Sequence, residues 1–128
     1  MTYLFVYLYM EKRVKRVAVI GTRTITKAQG VEEVIDYHQP TEIVGGGCRG
    51  ASEIGRTYAR NKGLAYMEFK PKYSKYGRIA PHIRNELIAK YCDVMIAIWD
   101  GKSKGTKSEI DKATRAGKEV IIFYCKDS

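Results

Sequence analysis

The sequence has 128 residues and a mass of 14.6 kDa, which suits one domain with a single hydrophobic core. A hydrophobic fraction of 45% and a charged fraction of 29% are typical of globular proteins and argue against a disordered, fibrous or membrane-embedded chain. The 23 Lys and Arg residues exceed the 14 Asp and Glu residues by nine, which indicates either an anionic partner or a highly charged solvated surface.

The first ten residues, MTYLFVYLYM, are apolar but too short to span a bilayer. Basic residues follow this stretch instead of preceding it, so we expect no export signal and no membrane contact. Two interpretations of the extension, residues 1–12, stay open: an edge or dimer-pairing strand, or sequence upstream of a start at Met10. The first predicts a homodimer or larger assembly, because an uncovered apolar strand would aggregate.

Three widely spaced cysteines, Cys48, Cys92 and Cys125, form neither a disulfide framework nor a zinc-site pattern. This usage favours a reducing, cytoplasmic setting. His38 and His82 have no partner at ligand or triad spacing, so both are interpreted as structural and no metal site is predicted.

Beyond Met10, short apolar runs alternate with amphipathic segments, which is typical of a parallel α/β sheet. Strands are predicted at residues 17–21, 42–46, 65–69, 93–99 and 119–124, with helices between them and one long irregular segment at residues 70–80. In the helix opened by Pro81, the predicted core face consists of Ile83, Leu87 and Tyr91, with Arg84 and Ile88 on the adjacent face. Together these elements predict a three-layer α/β/α Rossmann-like domain over residues 13–128, with a mainly parallel five-stranded sheet.

An open parallel sheet binds its ligand outside the carboxyl ends of its strands, where the strand order reverses. The turns expected there are glycine-rich, basic or both, and they span residues 21–23, 45–52, 70–78 and 100–106. We therefore expect the functional residues to cluster at this edge of the sheet.

The segment GGGCRGASE, residues 45–53, lies between a strand and a helix and contains Arg49. Its glycines would let backbone N–H groups approach a phosphate at the helix N-terminus, although a plain turn that needs positive φ angles explains them too. The segment matches neither the P-loop nor the GxGxxG fingerprint. Cys48 could be an activated thiol beside Arg49, but an inert loop residue is the favoured interpretation.

The segment GKSKGTKSE, residues 101–109, repeats this design after the fourth strand. Thr106 and Glu109 have the spacing of a capping box, in which the two side chains satisfy each other's backbone N–H groups. Alternatively, Glu109 orients a ribose hydroxyl, a water molecule or an arginine. The two roles are compatible.

Tyrosines and cations alternate in the irregular segment before the Pro81 helix. Tyr73 and Tyr76 lie among Lys70, Lys72, Lys75 and Arg78. This composition suits a lid that stacks a base and neutralises phosphate, and it is also ordinary loop composition in a protein with ten tyrosines.

From residue 17 to the end, the motifs VAVIGTR, IVGGGCRGASEIGRTYA and KYSKYGRIAPHIRNELIAKYCDVMIAIWDGKSKGTKSEIDKA resemble the SLOG superfamily, the Rossmann-like group named for the Smf/DprA and LOG proteins. The spacing is most similar to the small YspA-like branch of predicted nucleotide-sensing domains. The resemblance implies a nucleotide or nucleotide-derived ligand between the loops after the second and fourth strands.

The LOG branch hydrolyses nucleoside 5′-monophosphates to base and ribose 5-phosphate, and its catalytic arginine and glutamate match Arg84 and Glu109 by motif. Residues 101–104 read GKSK where LOG proteins have PGG, and Asn85 replaces their usual lysine. These differences favour a sensor that binds without hydrolysis. The DprA branch binds single-stranded DNA, which the charge of +9 also suits.

The sequence thus predicts a nucleotide sensor, with a nucleotide N-glycosidase and a single-stranded nucleic-acid binder as alternatives. Arg84 and Glu109 are the predicted catalytic pair if the chain is an enzyme, and no cofactor is expected. The predicted ligand-binding residues are Gly21, Thr22, Arg23, Gly46, Gly47, Arg49, Gly50, Tyr76, Asn85, Gly105 and Thr106.

Overall fold

A computed structural model describes residues 14–126, and the N-terminal extension, with both of its interpretations, lies outside these residues. Five strands alternate with helices along the chain. In order they are β1 (Arg16–Gly21), α1 (Val31–Tyr37), β2 (Glu42–Gly45), α2 (Ala51–Lys62), β3 (Ala65–Glu68), α3 (Tyr73–Tyr76), a 3₁₀ turn (Gly77–Ile79), α4 (Ala80–Tyr91), β4 (Val94–Trp99), α5 (Lys104–Arg115) and β5 (Glu119–Tyr124).

The five strands form one sheet in the order β3-β2-β1-β4-β5, and every neighbouring pair is parallel. The chain builds outward from β1 to β3 and then returns to place β4 on the other side of β1. The strand order therefore reverses between β1 and β4, where Val19 lies opposite Ile96. This confirms the predicted α/β Rossmann-like fold, with a sheet that is parallel throughout.

Helices cover both faces of the sheet, because successive side chains of a strand point to opposite faces. Val17 and Val19 of β1 belong to a buried cluster with residues of α1 and α2. Ala18 and Ile20 belong to a second cluster with residues of α4 and α5. Burial on both faces explains why β1 and β4 are continuous apolar runs.

Two local predictions are wrong. The segment predicted as irregular contains α3 and the 3₁₀ turn. In α4, Leu87 is 46% exposed, whereas Arg84 and Ile88 are buried, so the helix is rotated relative to the predicted core face. The reason is that one end of the buried face of α4 borders a polar cavity, which accepts Arg84 and Asn85 in place of apolar side chains.

Within residues 14–126, no helix combines the length and the hydropathy needed to cross a membrane.

Candidate functional site

A cavity of about 620 Å³ opens at the carboxyl ends of β1, β2 and β4, at the reversal of the strand order. We call it the main cavity. Its walls are Gly21, Thr22, Arg23 and Thr24 after β1; Gly46, Cys48 and Ser52 around the loop after β2; Pro81, His82, Arg84 and Asn85 of α4; and Asp100, Ser103, Lys104, Gly105, Thr106, Ser108 and Glu109 after β4. Its volume lies within the range of small-molecule binding sites.

Thr22 connects the three loops that surround this cavity. Its N–H donates to the Ile98 carbonyl at 2.9 Å, and its own carbonyl accepts from the Ala51 N–H at 3.2 Å. Its hydroxyl accepts from the Asp100 N–H at 3.3 Å and lies 3.4 Å from the Thr106 hydroxyl. The preceding residue has to be glycine, because a Cβ on Gly21 would lie 2.0 Å from the Ile98 carbonyl oxygen. The loops are therefore fixed relative to one another.

The loop after β4 is organised by Asp100. Its Oδ1 accepts hydrogen bonds from the N–H groups of Ser103 and Lys102, both at 2.8 Å, and these bonds lower the pKa of the Asp100 carboxyl. The loop leads into α5 with Ser103 as the N-cap, whose hydroxyl accepts from the Thr106 N–H at 3.3 Å. The predicted capping box of Thr106 and Glu109 is therefore wrong, since Ser103 performs the capping.

Arg84 reaches from α4 to the loop after β2 and is only 7% exposed. Its Nη1 donates to the Gly46 carbonyl oxygen at 2.7 Å and to Cys48 Sγ at 3.5 Å, and its Nε donates to Asn85 Oδ1 at 2.7 Å. A Cβ on Gly46 would lie 2.9 Å from Nη1, so a larger residue there would force the guanidinium to shift. These bonds leave the two N–H groups of Nη2 without a partner in residues 14–126.

Glu109 lies one turn inside α5 and is 9% exposed. Burial raises the pKa of its carboxyl to about 8, and the positive charges of Arg84, Arg23 and Lys112 offset only part of this effect. No side-chain hydrogen bond from residues 14–126 contributes to the pKa of this carboxyl. Glu109 lines the main cavity, where a ligand or water can donate to its carboxyl, so Glu109 marks the centre of the candidate site.

The cavity brings together most of the residues predicted from the sequence. The predicted residues that line it are Gly21, Thr22, Arg23, Gly46, Arg84, Asn85, Gly105, Thr106 and Glu109. The predicted residues that do not line it are Gly47, Arg49, Gly50 and Tyr76. Arg49 is exposed at the turn before α2.

Sequence reasoning assigned structural or inert roles to two residues that line the main cavity. His82, interpreted as structural, is exposed and lines the cavity, while His38 is buried at 6% exposure. Cys48, interpreted as an inert loop residue, contacts Arg84 across the cavity wall. The position of His82 directly after Pro81, in the first turn of α4, could have indicated the cavity side of that helix.

Tyr76 lines a second, smaller cavity of about 240 Å³, which we call the Tyr76 groove. Its walls include Met67 and Phe69 at the end of β3, Tyr76 of α3, and Ile83, Arg84 and Leu87 of α4. Arg84 is therefore a wall of both cavities.

Among residues 14–126, no cluster of His, Cys, Asp and Glu side chains could hold a metal ion. Comparison of the chain with protein-family models, with curated proteins and with solved structures found no match.

Proposed function

We propose that this protein binds a nucleotide or nucleotide-derived ligand, and that the main cavity holds its sugar phosphate. The observation that carries the proposal is the position of Glu109, which receives no side-chain hydrogen bond from residues 14–126 and lines a cavity that also contains Arg84 and two helix N-termini. This combination suits a ligand with both an anionic group and hydroxyl donors, which is the chemistry of a sugar phosphate.

The phosphate would bind beside the N-terminus of α5. The N–H groups of Lys104 and Gly105 find no acceptor within residues 14–126, and the first N–H groups of a helix are suited to anions. The side chains of Lys104 and Arg23 border the same cavity and supply positive charge. The start of α2, with Ser52 in the cavity wall, offers a second helix N-terminus at the opposite side.

The sugar would lie against Glu109 and Arg84. A ribose hydroxyl can donate to the Glu109 carboxyl, whereas the free Nη2 donors of Arg84 can bind a hydroxyl or phosphate oxygen. The Arg84 side chain is held by its hydrogen bonds before any ligand arrives, so it requires little reordering on binding. A sensor that binds without turnover is the first interpretation of this site.

Hydrolysis of a nucleoside 5′-monophosphate is the second candidate function, and the shared cavity of Arg84 and Glu109 favours it. In that reaction a water oxygen bonds to the ribose C1′, the C1′–N bond breaks, and the base leaves with the proton that water releases. An ionised Glu109 would orient the water and stabilise the positive charge that develops on the ribose. Because its pKa is about 8, base release should increase with pH up to that value.

The test is binding and turnover of nucleoside 5′-monophosphates by the wild-type chain, Glu109→Gln and Arg84→Gln. Glu86→Gln is the matched control, since Glu86 lies on the exposed side of α4 and outside the main cavity. Calorimetry measures binding, and chromatography with mass detection measures free base. We expect binding by the wild type and the control, weakened at least about tenfold in the two cavity variants.

Free base lost only in the cavity variants would establish the hydrolase, and binding without free base would establish the sensor. Equal affinities in all four proteins would refute the main cavity as the binding site. Single-stranded nucleic-acid binding, assembly into dimers and a cytoplasmic location stay predictions from the sequence.

A further inference from the structure

The Tyr76 groove has no role in the proposed sugar-phosphate site, yet it adjoins it. Met67 and Leu87, which border the groove, are 38% and 46% exposed. Large apolar side chains that gather around a concave surface indicate a binding site more often than isolated exposed ones do. The Tyr76 groove is therefore a candidate binding site.

The size and position of the groove indicate a part of the same ligand. Its volume of about 240 Å³ is below the range of pockets that hold a complete small molecule, whereas the main cavity of about 620 Å³ is within it. Arg84 is a wall of both cavities, and the hydrogen bonds of its guanidinium to Gly46 and Asn85 hold its side chain in place. A ligand that crosses this planar group would continue from the polar cavity into the apolar groove.

The lining of the groove favours a flat, uncharged ring. Phe69, Ile83 and Leu87 supply apolar walls, and the half-buried Tyr76 supplies an aromatic one. Aromatic rings and guanidinium planes are the surfaces on which nucleobases stack. Lys70, Lys72 and Glu68 also line the groove, and Lys70 forms an ion pair with Glu68 at 3.3 Å.

We propose that the Tyr76 groove is the nucleobase subsite of the ligand whose sugar phosphate occupies the main cavity, with Tyr76 as the stacking residue. The inference rests on the proposed function. It predicts that Tyr76 contributes to affinity for the base and contributes nothing to affinity for the sugar phosphate alone. It also predicts stronger binding of purine than of pyrimidine nucleotides, because a purine has the larger stacking surface.

The experiment compares two probes, ribose 5-phosphate and adenosine 5′-monophosphate, by calorimetry on the full chain. Tyr76→Ala is the test variant. Tyr73→Ala is its matched control, because Tyr73 lies on the same short helix, is 56% exposed and does not line the groove. Leu87→Gln is a second test variant. Because Leu87 is 46% exposed, we expect the fold to tolerate a polar side chain there.

We expect Tyr76→Ala and Leu87→Gln to weaken the binding of adenosine 5′-monophosphate about tenfold. The affinity for ribose 5-phosphate should not change. Tyr73→Ala should change neither affinity. Equal losses for both probes, or no loss for the nucleotide, would overturn the subsite. So would dissociation of a dimer by Tyr76→Ala at unchanged nucleotide affinity, since the groove would then hold a second copy of the chain.

Failure of the proposed function has a different signature. If the wild type binds neither probe, both the main cavity and the subsite are refuted. If ribose 5-phosphate and the nucleotide bind the wild type with equal affinity, only the subsite is refuted, and the sugar-phosphate site stands.

Discussion

Arg84 Nη1 donates a 2.7 Å hydrogen bond to the carbonyl oxygen of Gly46 and so joins α4 to the loop after β2. The two residues are 38 positions apart in sequence, and they meet because the parallel sheet brings the loop after β2 against the N-terminal half of α4. The bond closes one wall of the main cavity and fixes the guanidinium there. It therefore links the stability of the fold to the geometry of the candidate site.

Arg84→Lys should lower both stability and ligand affinity. A lysine has one charged nitrogen and cannot bond Gly46 and Asn85 as the guanidinium does, so a buried acceptor loses its donor. We expect a loss of about 1–3 kcal/mol in the free energy of unfolding, measured with urea. Arg78→Lys is the matched control, because Arg78 is exposed outside the main cavity. Equal stability of the two variants would contradict this role.

Glu109→Gln should stabilise the protein at alkaline pH. The folded-state pKa of about 8 exceeds the ordinary value of 4.5, so the folded chain binds this proton more tightly than the unfolded chain. The contribution of Glu109 to the free energy of unfolding is therefore fully present below pH 4.5. It is lost as the pH rises towards 8. Glutamine is neutral throughout and lacks this loss.

The measurement is urea unfolding of wild type and Glu109→Gln at pH 5 and pH 9. We expect little difference at pH 5 and a variant more stable by roughly 1–3 kcal/mol at pH 9. Glu86→Gln, on the exposed side of α4, should show no such pH dependence. A variant that is less stable than the wild type at pH 9 would show that the carboxylate has a stabilising partner.

Ser103→Ala should destabilise α5, because Ser103 is its N-cap and accepts hydrogen bonds from the N–H and the hydroxyl of Thr106. We expect a loss of about 1 kcal/mol in the free energy of unfolding. Ser74→Ala on the exposed face of α3 is the control. If Ser103→Ala has no effect on unfolding, the helix does not depend on this cap.

The parallel fold could be predicted from the sequence because strands buried on both faces have a plain signature. Residues 17–21 and 93–99 are nearly all apolar, and the structure places β1 and β4 there, side by side in the sheet interior. The positions of glycine and proline also predicted where helices end. For example, α2 ends directly before Gly63.

The sequence was less informative where the structure buries polar side chains. Arg84 was assigned to a face beside the core because arginine is mostly exposed, and only the cavity explains its burial. The capping box failed for a related reason, since Ser103 and Thr106 both have capping side chains and the strand-to-helix loop decides between them. Tyr76 was predicted from composition to belong to a base-stacking lid over the main cavity, whereas the structure places it in the neighbouring groove.

The three cysteines provide an internal test of where the ligand binds. Cys48 lines the main cavity beside Arg84. Cys125 is partly exposed outside this cavity, with its thiol 3.7 Å from the Lys27 carbonyl oxygen. Cys92 is buried, and burial raises the pKa of its thiol to about 11. We expect iodoacetamide to modify Cys48 and Cys125 and to leave Cys92 unmodified in the folded chain, as measured by mass spectrometry.

A nucleotide in the main cavity should slow the modification of Cys48 and leave the rate at Cys125 unchanged. Cys125 thus reports any general effect of the nucleotide on the reagent or on the fold. The reverse experiment uses the same cavity wall: carbamidomethylated Cys48 carries added bulk against Arg84 and should weaken nucleotide binding, whereas Cys48→Ser should retain it. Protection of Cys125 in place of Cys48 would show that the nucleotide does not bind at the carboxyl ends of β1, β2 and β4.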